Sequence, residues 1–329
     1  MKTKERIFYY DFLRAFAIIA VILCHVGIFY GSQVTQTQTI SRLIIADIGR
    51  CGVPIFLMIS GALLLNRTES LSDFLKKRFS RIIYPYIFWV ALIALGIFFI
   101  QKDYNLMIKV IIGDFSVTWY FWTLIGVYLA IPVINSFLKE YGEDALKYFL
   151  AIWILTIVLK TVNHYPLFTH FNLDFFAGYL GYPILGYYLD NKEFNLSVSK
   201  ILMISLGIFA LFFAISGYID CLHLPINIMY QSIILVILSS ALFLVIKSIN
   251  GITSFKAIKD NIIGKIIFLI SIYSYGMYFS HVLVLKALAF VNPHSDLLFP
   301  VMVIALIFLS WLVVFIVSKI PYLKRFSGV

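Results

Sequence analysis

A polytopic all-α membrane bundle of about ten transmembrane helices is predicted by three observations on this 329-residue chain. Charged residues are only 13% of it and apolar residues 62%, whereas a soluble domain carries about 25% charged residues. The mean hydropathy is +0.96. The apolar residues also fall into runs close to the ~20 residues that a bilayer crossing needs. These runs lie at roughly 8–30, 44–65, 82–101, 118–138, 146–162, 173–190, 200–218, 227–247, 264–286 and 297–318.

The first run follows a basic flank but is too long for a signal peptide and lacks a small-residue cleavage site, so it reads as a retained span. The second contains Gly49-Arg50-Cys51-Gly52-Val53-Pro54, with Ser60-Gly61 further on. Small residues at both ends predict close helix approach. The third enters from Lys76-Lys77-Arg78-Phe79-Ser80-Arg81, and the fourth opens on Trp119-Tyr120-Phe121-Trp122. The fifth and sixth are the shortest. The ninth carries Tyr278 and His281. No soluble domain, linker or repeat interrupts the series, so residues 1–329 read as a single integral membrane domain.

Orientation follows from the excess of Lys and Arg in cytoplasmic loops. With the first residues inside, 19 of the 26 Lys and Arg fall in cytoplasmic segments. Ten spans then leave both termini cytoplasmic; an odd number would spoil the bias. The net charge of +10 is accordingly read as basic loops, and no nucleic-acid partner is expected. Depths follow. Asp11 and Arg14 lie in the inner half of the first helix and His25 in its outer third. Arg50, Trp119 and Trp122 lie near the outer face, level with Tyr278 and His281. Arg78 and Arg81 stand at the inner mouth of the third helix. Cys24, Cys51 and Cys221 show neither metal spacing nor a disulfide framework, and no metal is expected.

The residues that invite chemistry are the ionisable ones at membrane depth, which are expensive there and usually functional. Arg14 and His25 are eleven residues apart, or three turns plus roughly 20°, so they share a helix face about 16 Å apart. Asp11 joins that face one turn below Arg14, and Ile18 and Val21 lie between. A lone His25 would read as a buried ring satisfied by a backbone carbonyl. On the same face as Arg14 it reads better as a general base. Arg14 can pair with Asp11 at the i,i+3 spacing. Arg78 and Arg81 are either ordinary inner-face charges or a phosphate-binding pair, since arginine grips phosphate through two donors. Trp119 and Trp122 fit an interfacial belt and also sugar stacking. His164, His170, His223 and His294 read as solvated loop residues.

Together these motifs resemble acyltransferase family 3, the integral membrane acyltransferases, and most closely its bacterial surface-polysaccharide O-acetyltransferase branch. The resemblance rests on Asp11-Phe12-Leu13-Arg14-Ala15 with ten residues between Arg14 and His25, and on Gly52-Val53-Pro54-Ile55-Phe56 through Ser60-Gly61. Arg78-Phe79-Ser80-Arg81 with Tyr84-Pro85, Trp119-Tyr120-Phe121-Trp122, and Ser274 through His281 continue it in family order. Many members carry an acidic residue where this chain has Pro54, which leaves the group orienting His25 unassigned. The resemblance implies transfer of an acyl group, usually acetyl from acetyl-CoA, to a hydroxyl of a cell-surface glycan or lipid-linked glycan. Acetyl-CoA is then a co-substrate and no cofactor stays bound. The implied location is multi-pass in the bacterial cytoplasmic (inner) membrane.

The expected site takes His25 and Arg14 as catalytic. His25 acts as base or as first acceptor of the acyl group. Arg14, Arg78, Arg81, Ile18 and Val21 are expected to bind the acyl-CoA donor. Arg50, Trp119, Trp122 and His281 orient the acceptor, with Asp11, Ser60 and Tyr278 in support. The runner-up is a flippase or exporter of a polysaccharide precursor or small metabolite. Such proteins often show paired broken helices, and the sequence offers one interrupted span, Gly49 to Pro54.

Overall fold

In hydrocarbon each backbone N–H and C=O must be satisfied within the protein, which confines spanning segments to helices or closed barrels. This chain takes the helical solution. The computed structural model describes residues 6–31, 44–115, 117–162, 178–222, 229–291 and 299–329, and among these there is no strand. The helices are α1 (Phe8–Gly31), α2 (44–49), α3 (Gly52–Leu64), α4 (Leu71–Gly96), α5 (Tyr104–Ile112) and α6 (Trp119–Val162). They continue with α7 (Gly181–Asn191), α8 (Val198–Cys221), α9 (Ile233–Ile249), α10 (Thr253–Asp260), α11 (Ile262–Val291) and α12 (Phe299–Lys319). A π-helical turn, Ile97–Gln101, extends α4.

Among the described residues, each of the ten apolar runs overlaps a helix. Seven helices are long and apolar enough to cross a membrane among the described residues, and α9 is a shorter apolar one. One of the seven, the 44-residue α6, holds two runs. Gly142 breaks it with φ 58° and ψ −135°, a conformation glycine adopts without a Cβ penalty. The rings of Phe137 and Tyr148 lie 6.4 Å apart, although eleven residues of straight helix would separate them by about 16 Å. The chain therefore turns back at Gly142, as the separate fourth and fifth spans require. The sixth run is represented by the 11 residues of α7; its first part, 173–177, lies outside the described residues, as do His164, His170, His223 and His294. Two helices were not legible as spans because they are short and amphipathic, α5 and α10. Phe255 anchors α10, its ring 5.4 Å from Phe8 and 5.5 Å from Phe12 of α1.

The chain forms two compact units, each discontinuous: Met1–Arg67 with Val133–Ser271, and Thr68–Pro132 with Ile272–Val329. In the first, α3 packs between α1 and α7. Cβ atoms on Gly49 or Gly52 would overlap the α1 backbone at Ala20 and Ala17, and one on Gly61 would overlap the Pro183 carbonyl of α7. Small residues here let backbones meet, as the sequence predicts. The far end of α7 is fastened by polar contacts. Asp190 accepts hydrogen bonds from the hydroxyls of Tyr9 and Tyr10, the latter at 2.8 Å. Lys247 of α9 donates to the carbonyls of Leu189, Asp190 and Lys192 at 2.8, 2.6 and 3.0 Å. Lys192 itself donates to Glu143 at 2.9 Å, and this hydrogen bond holds its ammonium pKa above the usual lysine value.

In the second unit, α4 is held by the hydroxyl of Tyr275, which donates to the Ile82 carbonyl at 3.1 Å. Tyr86 stacks on Phe121 with centroids 3.6 Å apart. Cys24 and Cys51 are buried free thiols, and Cys221 is free and exposed.

Candidate active site

Within the first unit, the N-terminal end of α1 carries a buried carboxylate. Asp11, 2% exposed, receives a fork from Arg6, Nε to Oδ2 at 2.7 Å and a terminal nitrogen to Oδ1 at 2.6 Å. Ser271 of α11 donates to it at 2.8 Å, and Arg14 approaches Oδ1 at 3.5 Å. The i,i+3 pair expected from the sequence is present, but Arg6 is the closer partner. Arg6 also lies over the Phe268 ring at 4.2 Å. Its pairing escaped sequence reading because residue 6 precedes the helix, so no helical spacing links it to Asp11. The Arg6 side chain is 47% exposed, so removing Asp11 costs less than the ~3–5 kcal/mol of a fully buried pair but more than the ~0–1 kcal/mol of a surface one. Asp11→Ala should therefore lower the midpoint of thermal unfolding in detergent clearly, whereas Asp11→Asn, which keeps an acceptor for Ser271, should lower it less.

His25, half-buried on α1, lies with Nδ1 2.8 Å from the Val21 carbonyl, one turn back. A carbonyl only accepts, so Nδ1 donates its N–H to it. This carbonyl orients the ring, the role the Pro54 departure leaves unassigned. Ile18 and Val21, expected to line a donor path, are 0% and 3% exposed. Val21 packs on α3, where a Cβ at Gly52 would approach its side chain to 2.9 Å. Ile18 is equally buried, while Arg14 and His25, at either end of the stripe, are partly open.

Arg50 lies at the break between α2 and α3 and pairs closely with Asp47, which also accepts a hydrogen bond from Ser216 of α8 at 2.7 Å. Gly49, its neighbour, packs on Cys24, the neighbour of His25. Ser60 returns its hydroxyl to the Phe56 carbonyl at 2.9 Å. A cavity of about 230 Å³ in this unit is lined by Asn66, Glu143, Tyr187, Tyr188, Asn191 and Lys192 among others, with none of the expected site residues in its wall.

Within the second unit, Arg78 is largely buried, 3.5 Å from Glu69 and 5.6 Å from the Phe74 ring centre. Arg81, one turn on, is exposed. Trp119 is half-buried, edge-on to Tyr120 at 6.0 Å. Trp122 is 50% exposed and meets Phe121 and Tyr86 edge-on at 5.3 and 6.3 Å. Tyr278 and His281 are buried, with rings 6.1 Å apart, and Tyr120 lies 5.1 Å from Tyr278. The Nδ1 of His281 faces the Met277 carbonyl at 3.0 Å, the same one-turn contact as at His25. The structure thus gathers Asp11 with Arg14, Arg78 with Arg81, and Tyr278 with His281. Among the described residues no group of three or more His, Cys, Asp or Glu could hold a metal.

A family model described as an acyltransferase domain, that of acyltransferase family 3, matches residues 7–319. No curated protein and no solved structure matches the chain.

Proposed function

Because the chain belongs to acyltransferase family 3 and is an all-α, multi-pass membrane protein, we propose that it is an acyl-CoA-dependent O-acyltransferase. It moves an acetyl or other short acyl group to a hydroxyl of a cell-surface glycan or lipid-linked glycan, in a bacterial cytoplasmic membrane. The observation that carries the reading is the family match over residues 7–319; on that reading His25 is the base through Nε2, its Nδ1 being directed to the Val21 carbonyl. Nε2 takes the proton of the acceptor hydroxyl as that oxygen attacks the thioester carbonyl. The tetrahedral adduct collapses with cleavage of the C–S bond, and the coenzyme A thiolate leaves with the proton that His25 returns.

Arg78 and Arg81 bind the donor's phosphates, and Arg14 meets the donor at the inner end of α1. Arg50, held by Asp47, and His281 orient the acceptor and stabilise oxyanion charge, while Trp119 and Trp122 present ring faces to a sugar. Hydrogen bonds to charged groups contribute about 1.5–3 kcal/mol. Reversing Arg81 to glutamate should therefore weaken acetyl-CoA binding by at least about tenfold, measured by titration calorimetry on the protein in detergent.

The whole reading is tested with labelled acetyl-CoA and an envelope extract. Label should appear in a hydroxylamine-labile ester with one free coenzyme A released per ester. Unconsumed thioester with every extract would favour the exporter reading instead.

A further inference from the structure

Residues 320–329 lie beyond the family match, and Lys324 and Arg325 count in the sequence only as inner-face charges. In the structure this segment folds back on α4. A turn of 3-10 helix at Lys324–Phe326 follows α12. Ser327 is buried, and its carbonyl accepts the indole N–H of Trp89 at 3.3 Å. A Cβ on Gly276 of α11 would overlap that same carbonyl, so glycine there leaves the slot open. The Phe326 ring meets Tyr84 edge-on at 5.7 Å and Phe88 at 6.3 Å.

These contacts set Arg325, which is exposed, with its guanidinium carbon 3.7 Å over the Tyr84 ring. Tyr84 is three residues past Arg81, and Arg81 three past Arg78, so each lies about one turn beyond the last. Arg325 is thereby placed over a residue one turn beyond Arg81 and about 60° round the α4 surface from it. Arg78 is largely buried and faces Glu69; Arg81 and Arg325 are the exposed members. A guanidinium on an aromatic face keeps its N–H donors around its rim, directed to a second partner. Anchoring alone does not require a cation at 325, because Phe326 and Ser327 already hold the segment.

We propose that Arg325 is a further donor-binding residue, which with Arg81 forms a two-guanidinium clamp for the phosphate esters of the acyl-CoA nucleotide. This rests on the donor assignment of Arg78 and Arg81 above. The chemistry recognised is a phosphate ester, which anionic lipid headgroups share, and the experiment separates the two sources.

The full chain is reconstituted in phosphatidylcholine nanodiscs and its coenzyme A affinity measured by calorimetry. Arg325→Ala should weaken binding about tenfold, the loss of one charge-assisted contact. Arg325→Lys should fall between the two, because it keeps the charge and loses the fork. Tyr84→Leu, with Arg325 intact, should weaken binding by a smaller factor through loss of the stack. Unchanged elution and melting of Arg325→Lys guard against a folding effect. If Arg81→Ala weakens coenzyme A binding and Arg325→Ala stays within twofold of wild type, the clamp is overturned while the donor site stands. If neither variant alters binding, the donor site falls as well. If Arg325→Ala alters transfer only in discs containing phosphatidylglycerol, and not coenzyme A affinity, the guanidinium reads lipid phosphate and the nucleotide assignment is overturned.

Discussion

Replacing His25 with alanine should reduce acyl transfer by about 10²–10⁴-fold, the range over which a positioned general base contributes. The ring is only half-buried, and its one-turn bond to the Val21 carbonyl closes within the helix. Expression, membrane insertion and thermal stability should therefore stay close to wild type. Coenzyme A affinity should also hold, because the phosphates are assigned to arginines elsewhere in the chain. This split distinguishes chemistry from folding. Transfer within about twofold of wild type would remove His25 from the mechanism. His25→Gln, which keeps polarity without a titratable nitrogen, should be as inactive as alanine.

Gly61→Val should be the most damaging single change to the fold. Gly61 and Pro183 are in backbone contact, and Gly186 makes the reciprocal approach to Met58. A side chain at 61 meets main chain rather than the flexible end of a residue, so no rotamer change relieves the overlap. The helices must separate. Overpacking in a core costs about 1–3 kcal/mol even where side chains can give. With backbone on the far side, the cost should exceed that range. The expected result is loss of the monodisperse peak in size-exclusion chromatography, with Gly61→Ala intermediate. A monodisperse valine variant with wild-type melting would contradict the α3–α7 contact.

The ten apolar runs were legible because hydropathy integrated over twenty residues is a strong signal in a chain this poor in charge. The reversal at Gly142 was legible as two spans, although the helix is nearly continuous there, because Lys139, Glu140, Glu143, Asp144 and Lys147 interrupt the apolar pattern. Short amphipathic helices such as α10 gave no such signal. In the site, contacts at helical spacing could be read from the sequence. The Asp11–Arg14 pair is one, and the bond from His25 to the carbonyl one turn back follows the same geometry. Contacts between segments distant in sequence could not. Ser271 on Asp11, Ser216 on Asp47 and the two tyrosines on Asp190 are 260, 169 and about 180 residues from their carboxylates. Burial of Ile18 and Val21 was hidden for a related reason. An apolar stripe looks alike in sequence whether it lines a path or packs on a neighbouring helix; in the structure Val21 meets α3 at Gly52.

The measurement closest to the central claim is a structure of the protein with a non-reactive acetyl-CoA analogue bound. Acyl transfer with His25 as base requires one hydroxyl oxygen to fit between Nε2 and the acyl carbon, with each separation about 3 Å. The account predicts the acyl carbon within about 6 Å of His25 Nε2 and the nucleotide phosphates on Arg78 and Arg81. An acyl carbon roughly 10 Å or more from that nitrogen, beyond the reach of any single bridging hydroxyl, would contradict it.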